Sequence, residues 1–592
     1  MRYFKKYIKK YIVLFLTAVF FLTLEAFCDL AQPTIMAKII DIGVSNKNLD
    51  YILSTGAIMI GITFLGAIFA IIRSVISARV SQHFSYDLRQ DVFEKINTYS
   101  LKQIDKFGRA SLITRITNDI NQMQQFVNGM MRVFIKSPIM CIGSLIIAIK
   151  LNLKMSIIIL IAVLIIFIII LLNMKIGYRL FKNVQESTDK VNSKLRQFLS
   201  GIKVVKLFCR YDYENQSFEE LNDELFKNSR KATTMMSFFR PTITIIINVS
   251  IIIIILLIGR HLIYSGEIKI GIIVAYVNYM TRILTSLIMI SHVFNVFVRA
   301  KASYERISEV LVDENEEVIE REESLDVGEK DLKFVNCDII FENVDFSYNK
   351  NTDEKILKNV SFKIEEGQNI GVIGQTGSGK TSLVNLIQKL YIIDKGDIKI
   401  GGRSIYSISE ESLRARIGVV FQNSSVFGKS ILENVVMGNR DICKEDVVKS
   451  CEIANANQFI TKLENTYDEV LFQRGKNLSG GQRQRITIAR AIAKKPQILI
   501  LDDCFSAMDI NTETIIRKNI KEYISNLREK ESKKCTVITI SQKISSIIDC
   551  DKILVLDEGE VVGFATHEDL LVSSPIYKKI FALQNLVSED VN

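Results

Sequence analysis

The sequence has no tryptophan, four histidines in 592 residues, and nine cysteines of which no two form a Cys-x-x-Cys pair. That cysteine spacing argues against a zinc site or a disulfide framework and suits a reduced, cytosol-facing chain. A small-residue cleavage site is also missing after the first apolar stretch. The basic start runs on into Glu25-Ala-Phe-Cys-Asp29, so this segment is expected to stay as an uncleaved first membrane span. Nor is the net charge of +10 a nucleic-acid footprint, because the basic residues (Arg2, Lys5, Lys6, Lys9, Lys10) sit beside apolar segments. Cytoplasmic flanks of membrane helices carry that pattern, and nucleic acid is not an expected partner.

Apolar side chains are what the chain has in excess, at 48% of residues, and they concentrate in the first half. Stretches of the ~20 residues needed to cross a bilayer centre on 11–31, 52–72, 133–149, 155–172, 242–258 and 271–297. The fourth is the plainest, with Ser156 the one polar residue between Met155 and Leu172. The sixth is broken by Asn278, Thr281, Arg282 and Ser286, so it is expected to face protein or a water-filled cavity. The links near 46–51, 150–154 and 259–270 are short, whereas 73–132 and 173–240 are long, charged and poor in helix breakers. The positive-inside rule puts the long links in the cytoplasm, as helical extensions able to carry motion to something below. Two apolar-basic segments there, Ser111-Leu-Ile-Thr-Arg115 and Gly201-Ile-Lys-Val-Val-Lys-Leu-Phe208, suit docking on a partner surface. An acidic, apolar-poor segment follows (313–337, a linker), and strand and helix patterns then alternate from 338 to 592.

In that last part Gly374-Gln375-Thr376-Gly377-Ser378-Gly379-Lys380-Thr381 fits a P-loop, with apolar Ile370–Ile373 before it as a strand and Ser382 onward as a helix. The glycines let backbone N–H groups wrap a phosphate at the helix N-terminus. Lys380 is expected to reach the β- and γ-phosphates, and Thr381 to offer a hydroxyl to Mg²⁺. Asp502 ends the apolar run Ile498–Leu501 and is expected to be the Mg²⁺-site carboxylate. ATP and Mg²⁺ are therefore the expected ligands.

Leu478-Ser479-Gly480-Gly481-Gln482 resembles the signature motif of ATP-binding cassette (ABC) proteins, and other matches follow in that family's order. Tyr348 resembles the aromatic that stacks on adenine, Gln422 the Q-loop, and Ser506-Ala-Met-Asp509 the D-loop. The whole chain is similar to an exporter-type half-transporter. The resemblance implies a six-span α-helical transmembrane domain (1–312) with cytoplasmic coupling helices, followed by an α/β P-loop ATPase domain (338–592). It also implies a second subunit, since a signature completes the P-loop site of the opposite chain, and a multi-pass place in the cytoplasmic (inner) membrane with the ATPase in the cytoplasm.

Two positions depart from the family. Asp503 stands where a catalytic Glu is usual, one methylene shorter than a base that must lie within about 2.6–3.2 Å of its proton donor. Gln542 stands where the switch histidine is usual; its amide can donate a hydrogen bond to a γ-phosphate but cannot carry a proton or charge as imidazole does. His567 is not a replacement, because the family has a histidine in that late turn as well. Gln473, before the signature, stands where Glu is common. With an intact P-loop and signature, the pattern resembles the degenerate subunit of heterodimeric bacterial multidrug exporters, whose partner keeps Glu and His. A slow homodimer is the alternative.

Glu25 and Asp29 lie four apart on one helix face at or near membrane depth, where ionisable groups are costly. Two readings stand open: binding a cationic substrate or gating, and a structural polar contact. Asn278, Tyr279 and Arg282 are further candidates in the sixth span. Export of amphipathic drugs or lipids is the expected activity, with dedicated peptide export disfavoured because the chain begins almost at its first span. The Ile-, Lys- and Asn-rich composition without Trp hints at an AT-rich bacterial genome.

Overall fold

The computed structural model describes residues 2–259, 269–312, 337–348, 354–423, 425–437, 439, 441–531 and 534–589. Two compact units emerge, Met1–Thr98 with Phe107–Asp313, and Tyr99–Lys106 with Glu314–Asn592. The expected linker lies outside the described residues, save Cys337 at its end.

In the first unit six helices are long and apolar enough to cross a membrane: Lys5–Val44, Leu49–Asn97, Arg109–Leu151, Leu153–Leu207, Tyr211–Leu256 and Ile270–Ile290. Each holds one of the six apolar centres, and the charged links between them are continuations of the same helices. The last runs on to Val312. Two tight links are cut by asparagine caps. Asn48 accepts from the Tyr51 N–H and Asn152 from the Met155 N–H, each satisfying a donor that a helix start would leave open.

Burial within this unit is one-sided. Met155, Ile159 and Ile166 pack with Ile243, Ile247, Tyr276 and Ile283 in one cluster. Leu160, Leu164 and Phe167, on the other face of the same helix, are more than half exposed. A span surrounded by hydrocarbon has no need to hide that face.

The segment Ser111–Arg115 is split, with Ile113 64% exposed and Leu112 and Arg115 turned inward. Arg115 is buried, its guanidinium pairs with Glu309 at 2.8 Å and donates to the Arg306 carbonyl, and it lies over the Phe107 ring. Asp119 is fully buried and takes Arg306 and Ser303 as partners, pinning the same stretch to the last membrane helix. The short helix that groups with the second unit is instead Leu101–Phe107 up to Lys106, where Asp105 accepts from the Tyr391 hydroxyl at 3.3 Å. Leu207 and Phe208, ending the other segment, are 77% and 66% exposed.

The second unit has two sheets. Strands β1 (Ile339–Phe346), β2 (Leu357–Ile364), β4 (Lys395–Ile400) and β5 (Arg403–Ser404) form an antiparallel sheet in the order β2-β1-β4-β5. The larger sheet runs β10-β9-β3-β8-β7-β6, from β3 (Asn369–Gly374), β6 (Ile417–Val420), β7 (Ile498–Asp502), β8 (Thr536–Ile540), β9 (Lys552–Asp557) and β10 (Glu560–Ala565). All but its β10 edge is parallel. Every residue of β7 and β8 is buried, the continuous apolar run expected of a strand covered on both faces.

Registry positions the site. Asp502 pairs with Ile540 and Val372 with Ile540, while Val420 pairs with Leu501. The turns after β3, β6, β7 and β8 therefore leave the sheet side by side, and these turns carry the P-loop, Gln422, Asp503 and Gln542.

Candidate functional site: a phosphate cradle at the sheet edge

Between β3 and the helix Lys380–Ile387 the backbone turns through Gly377 (φ 89°) and Gly379 (φ 97°), a left-handed conformation that other residues rarely adopt. Gln375, Thr376 and Gly377 stand at the surface while Ser378 and Gly379 are buried. Lys380 curls over it, its ammonium donating to the Gly374 and Gln375 carbonyls at 2.8 and 2.7 Å. Burial pulls its pKa down against the pull of Asp502 and Asp503. An ammonium held over a glycine-rich loop ahead of a helix N-terminus suits anionic oxygens.

Tyr348 stands beside this loop. Its hydroxyl shares a 2.9 Å hydrogen bond with Ser382, and its ring meets Phe346 and Tyr391 edge-on. The ring is thus propped upright and 40% exposed, free to take a flat aromatic partner.

Asp502, at the tip of β7, is 3% exposed. Burial, and next the charge of Asp503, push its pKa up to about 6, while a hydrogen bond from Thr381 works the other way. Among the described residues no group of three or more His, Cys, Asp or Glu could enclose a metal. One carboxylate, the Thr381 hydroxyl and the Gln422 amide are hard oxygen donors that suit Mg²⁺ only with phosphate oxygens and water completing the shell.

Asp503 has φ 42° and is fixed by its N–H donating to the Ile540 carbonyl at 2.9 Å. Its Oδ2 accepts from two amides, Gln422 at 3.1 Å and Gln542 at 3.3 Å. The Q-loop, the second acid and the switch position therefore meet on one oxygen. Burial leads in raising the Asp503 pKa, and the Gln422 hydrogen bond opposes it.

The signature is built differently. Ser479 and Gln482 form a reciprocal capping box on the helix Gly480–Ala493, at 3.2 and 2.8 Å, with Leu478 buried beneath. Gly480 and Gly481 lie against Ala507 and Met508, where a Cβ on Gly481 would meet the Ala507 carbonyl at 3.1 Å. Asp509 caps the following helix, accepting from Thr512 N–H and Oγ1 at 2.8 Å each, which holds its pKa down. These residues form a ledge of their own with a helix N-terminus at its edge.

In the membrane unit the acids are not free. Glu25 takes Arg73 Nε at 2.7 Å and Lys136 Nζ at 2.5 Å, and Lys136 also reaches Asp29 at 2.9 Å. Glu25 and Arg73 are buried, while Asp29 and Lys136 keep about 30% of their side chains exposed. Neither cation was singled out from the sequence; Arg73 following the second span and Lys136 within the third were the signals. Tyr279 is fully buried, its hydroxyl donating to the Leu30 carbonyl at 2.8 Å and bonded to Thr34, so its ring fills a helix–helix contact rather than a cavity wall. Arg282 donates to Gln32 at 3.0 Å, and Asn278 is exposed with its amide turned to the Val274 carbonyl of its own helix.

Comparison with known proteins agrees with this architecture. The family model for the ABC transporter transmembrane region matches residues 15–288, and that for the ABC transporter cassette matches 357–506. The ABC transporter ATP-binding protein YfiB of Bacillus subtilis is 36% identical, covering 98% of this chain and 97% of its own length. YknV from the same organism, named likewise, is 31% identical over 92% and 88%. Among solved structures, a bacterial Atm1-family ABC exporter with ATP bound aligns with TM-score 0.78 over 98% of this chain and 99% of that one; at 22% identity the likeness is one of fold. With six membrane-length helices ahead of a P-loop cassette and relatives matched end to end, the chain belongs to the ABC transporters, as a half-transporter that joins a membrane domain to a cytoplasmic ATP-binding cassette.

Proposed function

We propose that this chain is the hydrolysis-impaired half of a heterodimeric exporter. It binds Mg²⁺-ATP in its own cradle, hydrolyses it slowly, and lends its signature to a partner that keeps the catalytic Glu and the switch His. The observation that carries this reading is the state of Asp503. Its carboxylate is one methylene short, and two amides compete for the oxygen that would accept a water proton. A base in that position is both set back and occupied.

When bound, Mg²⁺ neutralises charge on the β- and γ-phosphates. Asp502, Thr381 and Gln422 would hold it, Lys380 and the P-loop N–H groups would fix the phosphates, and Tyr348 would stack on adenine. Ser479 and the N-terminus of its helix would close the partner's site. The exposed Leu207 and Phe208 suit contact with that partner.

The cargo is an amphipathic compound, drug or lipid. Asn278, Thr281, Thr285 and Met289 are exposed along one stripe of the sixth helix, a mixed polar and soft apolar surface suited to loose recognition. Pairing of Glu25 and Asp29 with Arg73 and Lys136 favours a structural role for these acids over capture of a cation. The test is ATPase activity of the purified chain alone and with a co-expressed second half-transporter. Little turnover alone and strong turnover as a pair is expected; brisk turnover by the chain alone would establish the homodimer instead.

A further inference from the structure

The helix Pro575–Glu589 touches the loop after β8 in two ways. Tyr577 is fully buried in a cluster with Ile544 and Ile547 of that loop and with Ile373, Ile553 and Val555 of the sheet. Further along the same helix, Gln584 spans the loop backbone. Its Nε2 donates to the Gln542 carbonyl at 2.7 Å, and its Oε1 accepts from the Ile544 N–H at 2.8 Å.

One side-chain amide therefore satisfies the backbone groups on both sides of Lys543, as a neighbouring strand would. Gln542, gripped in this way, directs its own amide at Asp503 Oδ2. The rest of the loop is held from elsewhere: Ser541 Oγ accepts from the Lys543 N–H at 2.9 Å, Arg517 donates to the Ser545 carbonyl at 2.8 Å, and Ser546 donates to Glu513. Loss of the Gln584 bonds would free the Gln542–Ile544 step while those anchors keep the loop folded.

We propose that Gln584 is a positioning residue for nucleotide recognition, through which the C-terminal helix sets where Gln542 stands and hence how strongly the site prefers a triphosphate to a diphosphate. The proposal rests on the reading that Gln542 meets the γ-phosphate, and is independent of how fast the site hydrolyses ATP. A hydrogen bond weakens steeply with displacement. ADP lacks the terminal phosphate and should be indifferent to the position of Gln542.

The experiment measures binding of AMP-PNP and of ADP to the purified full-length chain carrying Gln584→Met, Gln542→Ala or both. Methionine keeps the length of Gln584 and removes both hydrogen bonds. Gln584→Met should weaken AMP-PNP about three- to tenfold, the worth of one hydrogen bond, with ADP affinity unchanged. In the Gln542→Ala background it should add nothing. An unchanged AMP-PNP affinity, an equal loss for ADP or an additive loss in the double variant would each overturn the proposal. If Gln542→Ala alone leaves the AMP-PNP to ADP ratio untouched, the placement of Gln542 at the phosphate is itself wrong and the proposal falls with it.

Discussion

At position 503 the difference between glutamate and aspartate is one CH₂, and the surrounding geometry magnifies it. The shorter carboxylate sits within reach of the Gln422 and Gln542 amides, so it is tied to the protein rather than extended toward a water. Asp503→Glu together with Gln542→His should raise hydrolysis at this site by at least about tenfold, toward the 10²–10⁴ worth of a well-placed base. Single-turnover assays in a pair whose partner site is disabled would read it; no change with either or both substitutions would mean that these side chains do not limit the chemistry. Neighbouring Asp502 carries a pH prediction. Its carboxyl, raised to about 6, must be ionised to hold a metal, so Mg²⁺-dependent ATP binding should be intact at pH 7.5 and weaken as pH falls through 6. Metal-free ATP binding, followed in EDTA over the same range, should lack this step.

Elements differ in how much of them the sequence made legible. The P-loop could be read directly, because left-handed backbone at 377 and 379 demands glycine and leaves a pattern along the chain. The capping box of Ser479 and Gln482 and the asparagine caps at 48 and 152 are equally local. What could not be read are pairings between helices distant in sequence: Arg73 and Lys136 on Glu25, Arg115 turned onto Glu309, and Gln584 on the switch loop. No periodicity encodes which of many lysines and arginines meets a given acid. The Glu25 cluster also makes a contrast testable. Glu25→Ala would strand a buried Arg73, whose Nη1 has no hydrogen-bond partner among the described residues, and should cost about 3–5 kcal/mol. Asp29→Ala should cost far less, because Asp29 is part-exposed and Lys136 keeps Glu25. Thermal melts of the detergent-purified chain would check this, and equal losses would rule out an inner-to-outer gradient of burial in this cluster.

For the molecule as a whole, composition announced a membrane protein and motif order announced its engine, so fold class and family were open to reading from residues alone. The six expected spans each fall on a membrane-length helix. The grouping of Tyr99–Lys106 with the ATPase unit has no signal in the sequence, whereas Ser111–Arg115 has the apolar-basic look of a docking site. Arg115 spends its charge inward, and a one-dimensional pattern cannot tell an inward arginine from an outward one. The propped ring at Tyr348 has a practical consequence at this scale. Because the chain contains no indole, a Tyr348→Trp variant would carry one tryptophan, excitable at 295 nm apart from the tyrosines, beside Phe346 and Tyr391 where the proposed adenine would stack. Its emission would report nucleotide arrival and departure at this one site, separately from whatever its partner subunit is doing.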